Sequence, residues 1–208
     1  MKNKEGAEKK LRTLLLIFSE CDFLEDKNIE KLIARFAAIQ NEGIENLIVY
    51  VDILKEIGAE KRDHLAQIIA EKIRTAADKN ESDFVHILSK EIEKTDRLAF
   101  SNKPEFAVYF VLNLGGREEL KQILEEIIQS GTAEKENDAQ EFIQDRLIIP
   151  FEPDLIMSNL KNTLTDFMIW QTAYSEYYFF EKEMNRLTDS DFRKAFESFR
   201  KRDRRYGV

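Results

Sequence analysis

Two histidines are the side chains of this sequence best suited to hold a metal ion or to move a proton. Each follows a carboxylate at helical spacing: Glu60 precedes His64 by four residues, and Asp83 precedes His86 by three. On a helix, either spacing places both side chains on one face. If the segments that carry them form an antiparallel helical hairpin, the two imidazoles lie roughly 15 Å apart along its axis, too far to share one ion. We therefore predict surface or capping histidines and no metal site.

The single cysteine, Cys21, is the candidate for nucleophilic chemistry. The neighbouring carboxylates of Glu20, Asp22 and Glu25 oppose thiolate formation and raise the pKa of the thiol. We predict a buried or half-buried structural cysteine. The sequence contains no Gly-x-Ser-x-Gly elbow, no phosphate-binding glycine loop and no Cys-x-x-Cys pair. It therefore predicts no catalytic residue, no cofactor site and a protein that is not an enzyme.

The most aromatic segment is FMIWQTAYSEYYFF, residues 167–180. On a helical wheel Trp170, Tyr174 and Tyr177 fall together, whereas other apolar residues of the segment point to other sides. A helix that is apolar nearly all round is normally a buried central one, so core packing is the first interpretation. The alternative is an aromatic-lined pocket or partner groove, in which tyrosine hydroxyls supply polar contacts. The candidates for partner binding in this segment are Trp170, Tyr174, Tyr177 and Tyr178.

The C-terminal tail differs in charge from the rest of the chain. Residues 1–191 hold 25 Lys and Arg against 38 Asp and Glu, whereas residues 192–208 hold 7 against 2. Phe192, Phe196 and Phe199 form one narrow helical stripe, which favours a docked C-terminal helix; an anionic partner, nucleic acid or a membrane surface are the alternatives. The acidic body argues against nucleic acid. The basic candidates for partner binding are Arg193, Arg200, Lys201, Arg202, Arg204 and Arg205.

The elements that would position these residues are predicted to be helices. Gly (7) and Pro (3) are scarce, whereas sandwiches and barrels need many tight turns, and doubly wound folds need glycine-rich crossings. Apolar residues recur at helical spacing in nearly every segment. These segments are 11–18, 29–36, 44–54, 65–73, 84–92, 106–114, 120–127 and a long helix over about 154–186. We predict an all-α fold of about nine or ten helices, either a helical bundle or a short α-solenoid-like stack.

Two prolines in IPFEPD (149–154) mark the sharpest break in the chain. They divide a multi-helix body, 1–149, from a C-terminal part, 150–208, that holds the long aromatic helix and the basic amphipathic helix. We expect the two parts to pack as one domain. Two Gly-x14-Gly segments, which begin at Gly43 and Gly116, resemble each other at an offset of 73 residues. This similarity indicates either a duplication of 27–78 and 100–148 or the general likeness of capped amphipathic helices.

The lone cysteine fits a reducing compartment, and no apolar run has the length of a membrane span, so we expect a cytoplasmic protein. The first apolar run is also too short for the core of an export signal. The preferred function is a non-enzymatic intracellular protein–protein interaction module, an adaptor, scaffold or inhibitor that presents a helical surface. The alternatives are a nucleic-acid-associated protein that uses the basic tail, and a small-ligand receptor or metal-dependent enzyme that uses residues 167–180.

Overall fold

The protein is built around a six-stranded sheet in which every strand pairs in parallel with its neighbours. The computed structural model describes residues 10–89, 105–130, 136–160 and 164–202. The strands are β1 (Thr13–Ser19), β2 (Asn46–Asp52), β3 (Val85–Leu88), β4 (Ala107–Leu112), β5 (Leu155–Ser158) and β6 (Glu176–Phe179). The helices are α1 (Asp26–Ile33), α2 (Phe36–Gln40), α3 (Ala59–Lys79), α4 (Gly116–Ser130), α5 (Glu136–Gln144) and α6 (Asp189–Lys201).

The strand order across the sheet is β3-β4-β2-β1-β5-β6. The chain leaves β1 toward β2 on one side and later returns to place β5 on the other side of β1. In register, Leu15 of β1 lies opposite Ile48 of β2 and Ile156 of β5. The boundary between β1 and β5 is therefore the point at which the direction of winding reverses. In open parallel sheets, ligands bind outside the carboxyl ends of the strands at such a switch point.

The central strands are continuous apolar runs because both of their faces are covered. In β1, Leu14, Leu16 and Phe18 pack into one core cluster, and Leu15 and Ile17 pack into the other. β4, with the sequence AVYFVL, is buried at every position. A strand that is buried on both faces therefore carries no polar alternation that would distinguish it from a buried helix.

The two faces of the sheet bury different elements. On one face, α1, α2, α3 and α6 pack against the sheet around Phe18, Phe36 and Phe110. On the other face, Tyr50 stacks on Phe167 at 4.2 Å between ring centroids, in a core that also includes Met168. From β1 to β3 the chain moves across the sheet in one direction, and from β4 to β5 it moves in the other. Because crossovers between parallel strands are right-handed, α4 and α5 lie on this second face of the sheet. α4 and α5 bury a small cluster of their own.

The all-α prediction, with its bundle or solenoid-like stack, is wrong. Segments 11–18, 44–54, 84–92 and 106–114 contribute strands β1 to β4, and the expected helix over 154–186 contains β5 and β6 instead. The helical spacing in these runs arises because nearly every position is apolar. Helices α3, α4 and α6 are observed where segments 65–73 and 120–127 and the phenylalanine stripe of the tail predict them. α6 begins at the cap Thr188 and buries its phenylalanine stripe, as the docked-helix interpretation expects.

The two segments that suggested a duplication have different secondary structures. The one that follows Gly43 forms β2, and the one that begins at Gly116 forms α4. Residues 100–104 and 131–135 of the second proposed unit lie outside the described residues. The duplication and the division at 149–150 stay predictions.

Candidate functional site

An open cleft of about 590 Å³ lies at the carboxyl ends of β1, β2 and β5. Its lining comes from four separate parts of the chain: the turn and helix after β1, the end of β2, the residues after β5 and the segment that follows β6. The lining residues are Ser19, Cys21, Asp22, Glu25, Asn28, Asp52, Asn159, Leu160, Glu183 and Asn185. The cleft therefore lies at the switch point of the sheet.

The buried carboxylate of Asp22 connects three of these segments. Its Oδ2 accepts hydrogen bonds from the backbone N and Oγ of Ser19 at 3.2 and 3.1 Å, and from Nδ2 of Asn159 at 3.0 Å. Its Oδ1 accepts from the backbone N of Met184 at 3.2 Å. The backbone carbonyl of Asp22 accepts from Nδ2 of Asn28 at 3.1 Å. Asp22 thus holds the β1 turn, the β5 turn and the segment after β6 around one wall of the cleft.

Three asparagines of this wall have side-chain oxygens that lack a hydrogen-bond donor in the described part of the chain. The side-chain oxygens of Asn28, Asn159 and Asn185 are buried and receive no hydrogen bond from any residue that the structure describes. A buried acceptor without a donor costs free energy, so such groups usually face water or a ligand.

The electrostatics of the cleft are acidic. Its described lining includes Asp22, Glu25, Asp52 and Glu183 and no Lys or Arg. Burial, the largest cause, raises the pKa of the Asp52 carboxyl, and Glu20 and Asp166 act in the same direction, whereas Lys55 lowers it. A carboxyl group with a raised pKa exchanges protons closer to neutral pH than an ordinary aspartate does.

Cys21 is exposed at the cleft, so the expectation of a buried or half-buried cysteine is wrong. The predicted direction of its pKa is confirmed. Although the residue is exposed, partial desolvation of its sulfur is the largest cause that raises the pKa of the thiol, and the charges of Glu20 and Asp22 raise the pKa further. Cys21 is therefore a poor nucleophile at neutral pH.

Basic side chains approach the same edge of the sheet from the β2 side. Lys55, just after β2, donates a hydrogen bond to Oδ2 of Asp166 at 2.8 Å. Arg62 is half-buried in the first turn of α3, and its Nε finds no acceptor among the described residues. The guanidinium of Arg62 lies near Tyr50, whose phenol pKa is raised by burial, Asp52 and Asp166 and lowered by Arg62. The carboxyl edge thus has acidic side chains in the cleft lining and two cations, Lys55 and Arg62, in the segment that follows β2.

The aromatic residues singled out in the sequence do not form a pocket wall on one helix. Trp170 and Tyr174 are 41% and 64% exposed in the connection before β6. Tyr177 and Tyr178 lie on β6 and point to opposite faces, against different core clusters. Their role as partner-binding residues stays a prediction.

The described basic residues of the tail have different environments. Arg200 pairs with Glu42 at 2.8 Å, Lys201 lies 3.8 Å from Glu197, and Arg202 lies 3.5 Å from Glu176. Arg193 is exposed on α6 beside a small crevice. Arg204 and Arg205 lie outside the described residues. A role in partner binding stays a prediction for all six.

Neither histidine belongs to the cleft lining. His64 is exposed on α3, and His86 belongs to β3, where its ring stacks on Tyr109 at 5.3 Å. The helical hairpin expected to carry them is absent because the second segment is a strand. Within the described ranges, no three His, Cys, Asp or Glu side chains are grouped so that they could hold a metal ion.

Sequence reasoning missed the residues that line the cleft. The available signal was the position of polar residues. Ser19, Asp52 and Asn113 each directly follow an apolar run, and Asn159 follows Ser158 at the end of a fourth run. If those runs are taken as parallel strands, their carboxyl ends meet at one edge. Because the runs were interpreted as helices, these polar residues had no common location.

An open parallel sheet with crossover helices and a cleft at its switch point defines the class of doubly wound α/β proteins. The family described as putative undecaprenyl diphosphate synthase, Prenyltransf, matches residues 34–207. The chain belongs to this family.

Curated relatives agree with the match. An isoprenyl transferase of Fusobacterium nucleatum is 30% identical over 156 residues, 74% of this chain and 64% of that protein. An isoprenyl transferase of Thermotoga maritima is 37% identical over 99 residues, 46% of this chain and 42% of that protein. The aligned part of the chain spans about half the length of the curated relatives it matches.

Two solved structures share the fold. A probable undecaprenyl diphosphate synthase from Campylobacter jejuni superposes with a TM-score of 0.71 at 19% identity, covering 96% of this chain and all of that one. Lavandulyl diphosphate synthase from Lavandula x intermedia, solved in complex with dimethylallyl diphosphate, superposes with a TM-score of 0.70 at 14% identity, covering 95% and 98%.

These findings correct the functional predictions. The family is one of enzymes, so the non-enzymatic interaction module is wrong, and the alternatives based on the basic tail and on residues 167–180 do not fit the family either. None of the helices within the described ranges combines the length and the apolar composition that crossing a membrane requires.

Proposed function

We propose that this chain binds an isoprenyl diphosphate at the cleft and transfers its isoprenyl group to an acceptor. The observation that carries the proposal is the position of the cleft at the switch point between β1 and β5. Family membership over residues 34–207 and the names of the isoprenyl transferase relatives support it. A cytoplasmic location, expected from the single cysteine, is part of the proposal.

The charges at the carboxyl edge suggest how the ligand is oriented. The acidic lining repels a diphosphate, so the isoprenyl group occupies the cleft and the anionic group lies beyond the cleft lining, near Lys55 and Arg62. Arg62 suits this role because its Nε has no acceptor in the described part of the chain. A guanidinium and an ammonium group both form charge-assisted hydrogen bonds with phosphate oxygens.

The transfer breaks the bond between C1 of the isoprenyl group and the diphosphate oxygen, and a new bond forms between C1 and the acceptor. The diphosphate leaves with the electron pair of the broken bond, and cations placed beside it stabilise the developing charge. When the acceptor is a homoallylic diphosphate, its terminal alkene carbon forms the new bond, and the resulting carbocation loses a proton from an adjacent carbon to form a double bond. Asp52 is placed to accept that proton, because it lines the cleft and its raised pKa favours proton transfer nearer neutral pH.

Binding is tested by calorimetric titration of the protein with dimethylallyl diphosphate in the presence of Mg²⁺ as its counter-ion. We expect saturable binding, and Arg62→Ala is expected to weaken it about tenfold or more through loss of a charge-assisted contact. Lys61→Ala removes an exposed lysine from the same turn of α3 and serves as the matched control. If the Arg62 and Lys61 variants bind dimethylallyl diphosphate with equal affinity, Arg62 does not contact the diphosphate.

Transfer is tested with dimethylallyl diphosphate and its homoallylic isomer as acceptor, by measuring released inorganic diphosphate and the longer product by mass spectrometry. Asp52→Asn is expected to lower kcat by about 10²-fold or more with a smaller change in KM, because it removes a proton acceptor and leaves the diphosphate contacts. Absence of both products from the wild-type protein would overturn the proposed function.

A further inference from the structure

Lys55 lies near two carboxylates at the end of β2. It follows Asp52 by three residues and begins the short turn Lys55–Ile57. Its Nζ donates to Oδ2 of Asp166 at 2.8 Å, and among the described residues it forms an ion pair with Asp166 and none with Asp52. The charge of Lys55 nevertheless acts on Asp52, whose pKa it lowers. The lysine therefore has two carboxylates close to it and is bound to one of them.

Asp166 is the fixed member of this ion pair. Its side chain is 14% exposed, whereas that of Lys55 is 58% exposed. Asp166 lies against the start of α4, where its Oδ2 would be 3.7 Å from a Cβ atom added at Gly115. The next residue, Phe167, stacks on Tyr50. Packing therefore fixes the carboxylate, and the exposed lysine, which keeps more rotamer freedom, takes the position that the carboxylate sets.

The groups that face Asp52 come from three parts of the chain. Burial is the largest cause that raises the pKa of Asp52, and Glu20, Asp166 and Glu56 raise it further. Among the described residues, Lys55 is the cation that lowers this pKa. Tyr50 faces the same carboxylates, since Asp52 and Asp166 both raise the pKa of its phenol. If Lys55 turned from Asp166 to Asp52, an ion pair would form and Asp52 would become a weaker base.

We propose that Asp166 is a positioning residue for the transfer reaction. It holds Lys55 toward the diphosphate and away from Asp52, so the cation serves the leaving group while Asp52 stays free to accept the proton. The 2.8 Å contact between Lys55 and Asp166 and the packing that fixes Asp166 carry this inference. It rests on the proposed function, in which Asp52 accepts the proton and Lys55 lies near the diphosphate.

The pKa of Asp52 reports where the lysine lies. NMR titration of the isotope-labelled carboxyl carbon of Asp52 in the full chain measures this pKa without any substrate. Asp166→Asn keeps the size of the side chain and removes its charge, so Lys55 turns to Asp52 and the pKa of Asp52 is expected to fall. Lys55→Met removes the cation, so the pKa is expected to rise, a direction that loss of structure does not produce.

The double variant separates positioning from simple loss of charge. Asp166→Asn lowers the pKa of Asp52 even if Lys55 does not move, because a neighbouring negative charge is lost. The turning of the lysine adds to this fall only when Lys55 is present. The fall is therefore expected to be about twofold or more larger in the wild-type background than in Lys55→Met. Equal falls in the two backgrounds would show that Asp166 acts through its own charge alone and would overturn the proposal.

Glu56→Gln is the matched control. Glu56 is exposed and also raises the pKa of Asp52, but among the described residues it forms no ion pair with Lys55. Its replacement is expected to lower the pKa of Asp52 equally with and without Lys55. A fall that depends on Lys55 as strongly as that of Asp166→Asn would make the effect general to acidic neighbours and would contradict a specific role of Asp166.

The pH dependence of the reaction gives the second readout. With dimethylallyl diphosphate and its homoallylic isomer, the acid limb of kcat/KM is expected to move to lower pH in Asp166→Asn and to higher pH in Lys55→Met. A limb that stays in place while the NMR pKa moves would remove Asp52 from proton transfer and overturn the positioning role. If the wild-type protein releases no diphosphate, the proposed function fails, whereas the NMR titrations still decide whether Asp166 positions Lys55.

Discussion

Asp22 joins residues that are far apart in sequence, since its carboxylate accepts hydrogen bonds from the segments at Ser19, Asn159 and Met184. A buried carboxylate that accepts several hydrogen bonds stabilises the folded protein through each of them. Its removal leaves the donors without acceptors. The residue therefore positions the cleft wall and supports the fold.

Replacing this carboxylate gives the first prediction. Asp22→Ala is expected to lower the free energy of unfolding by about 3 kcal/mol, because charged hydrogen bonds are lost and buried donors remain without acceptors. Chemical denaturation measures the change. Asp26→Ala, which removes an exposed carboxylate that pairs with Lys72, is the control and is expected to cost less than about 1 kcal/mol. Similar losses for the two variants would contradict the role of Asp22.

Asp191 gives a pH-dependent prediction. Hydrogen bonds from Lys182, and then from Thr188, hold the pKa of the Asp191 carboxyl well below its usual value. A carboxyl group with a lowered folded pKa stabilises the protein above its unfolded pKa of about 4, and this contribution is lost as the pH falls below that value. The stability difference between wild type and Asp191→Asn, measured in urea, is therefore expected to be larger at pH 7 than at pH 3.

The control for this prediction lies two residues away. Asp189 is exposed and pairs with Arg35, so Asp189→Asn is expected to change stability little at either pH. A wild-type advantage over Asp191→Asn that grows as the pH falls would have the wrong sign and would contradict the assignment.

At the scale of elements, the start of α4 is held against the connection before β6. A Cβ atom added at Gly116 would overlap the backbone oxygen of Asp166 and lie 3.0 Å from the backbone N of Met168. No side chain fits there without movement of the backbone. This close approach seats Phe167 and Met168 in the second core.

Gly116→Ala is therefore expected to lower the free energy of unfolding by about 1–3 kcal/mol, the usual range for overpacking. Gly115→Ala is the matched control, because its nearest contact would be an ordinary 3.7 Å to Oδ2 of Asp166. Thermal and chemical denaturation of both variants separate the close approach from the general effect of glycine replacement. Equal stability of the two variants would contradict the close packing.

The elements also explain how far the sequence predicts the fold. α3, α4 and α6 are amphipathic, with one polar side, and their periodicity predicts them correctly. β1, β2 and β4 are buried on both faces, so their apolar residues also fall at i+3 and i+4 and imitate a helix. Their length of six or seven residues and, in NLIVYV, their β-branched content were the signals that favoured strands.

The site was harder to predict than the fold. The cleft lining comes from residues 19–28, Asp52, residues 159–160 and residues 183–185, and no local motif joins these positions. Only the strand order places them together, because β5 pairs beside β1 although more than 130 residues separate them. Spacing in the sequence carries no information about such a neighbour relation.

For the whole molecule, the strand order predicts how protection from hydrogen exchange is distributed. β1, β2 and β4 each have neighbours on both sides, whereas β3 and β6 lie at the edges of the sheet. Amide exchange measured by mass spectrometry is expected to be slowest in β1, β2 and β4 and clearly faster in β3 and β6, because edge strands open at lower free energy. Exchange in β6 as slow as in β2 would contradict this order.

The pairing of β1 between β2 and β5 also has a consequence for synthesis of the protein. A nascent chain that has emerged from the ribosome only as far as residue 150 can form β1, β2 and β4, but the edge of β1 that faces β5 stays open. Open edges of apolar strands pair readily with other chains. Translation beyond residue 150 therefore both closes this edge and supplies Asn159, Glu183 and Asn185, so the cleft is completed only after residue 185 has emerged.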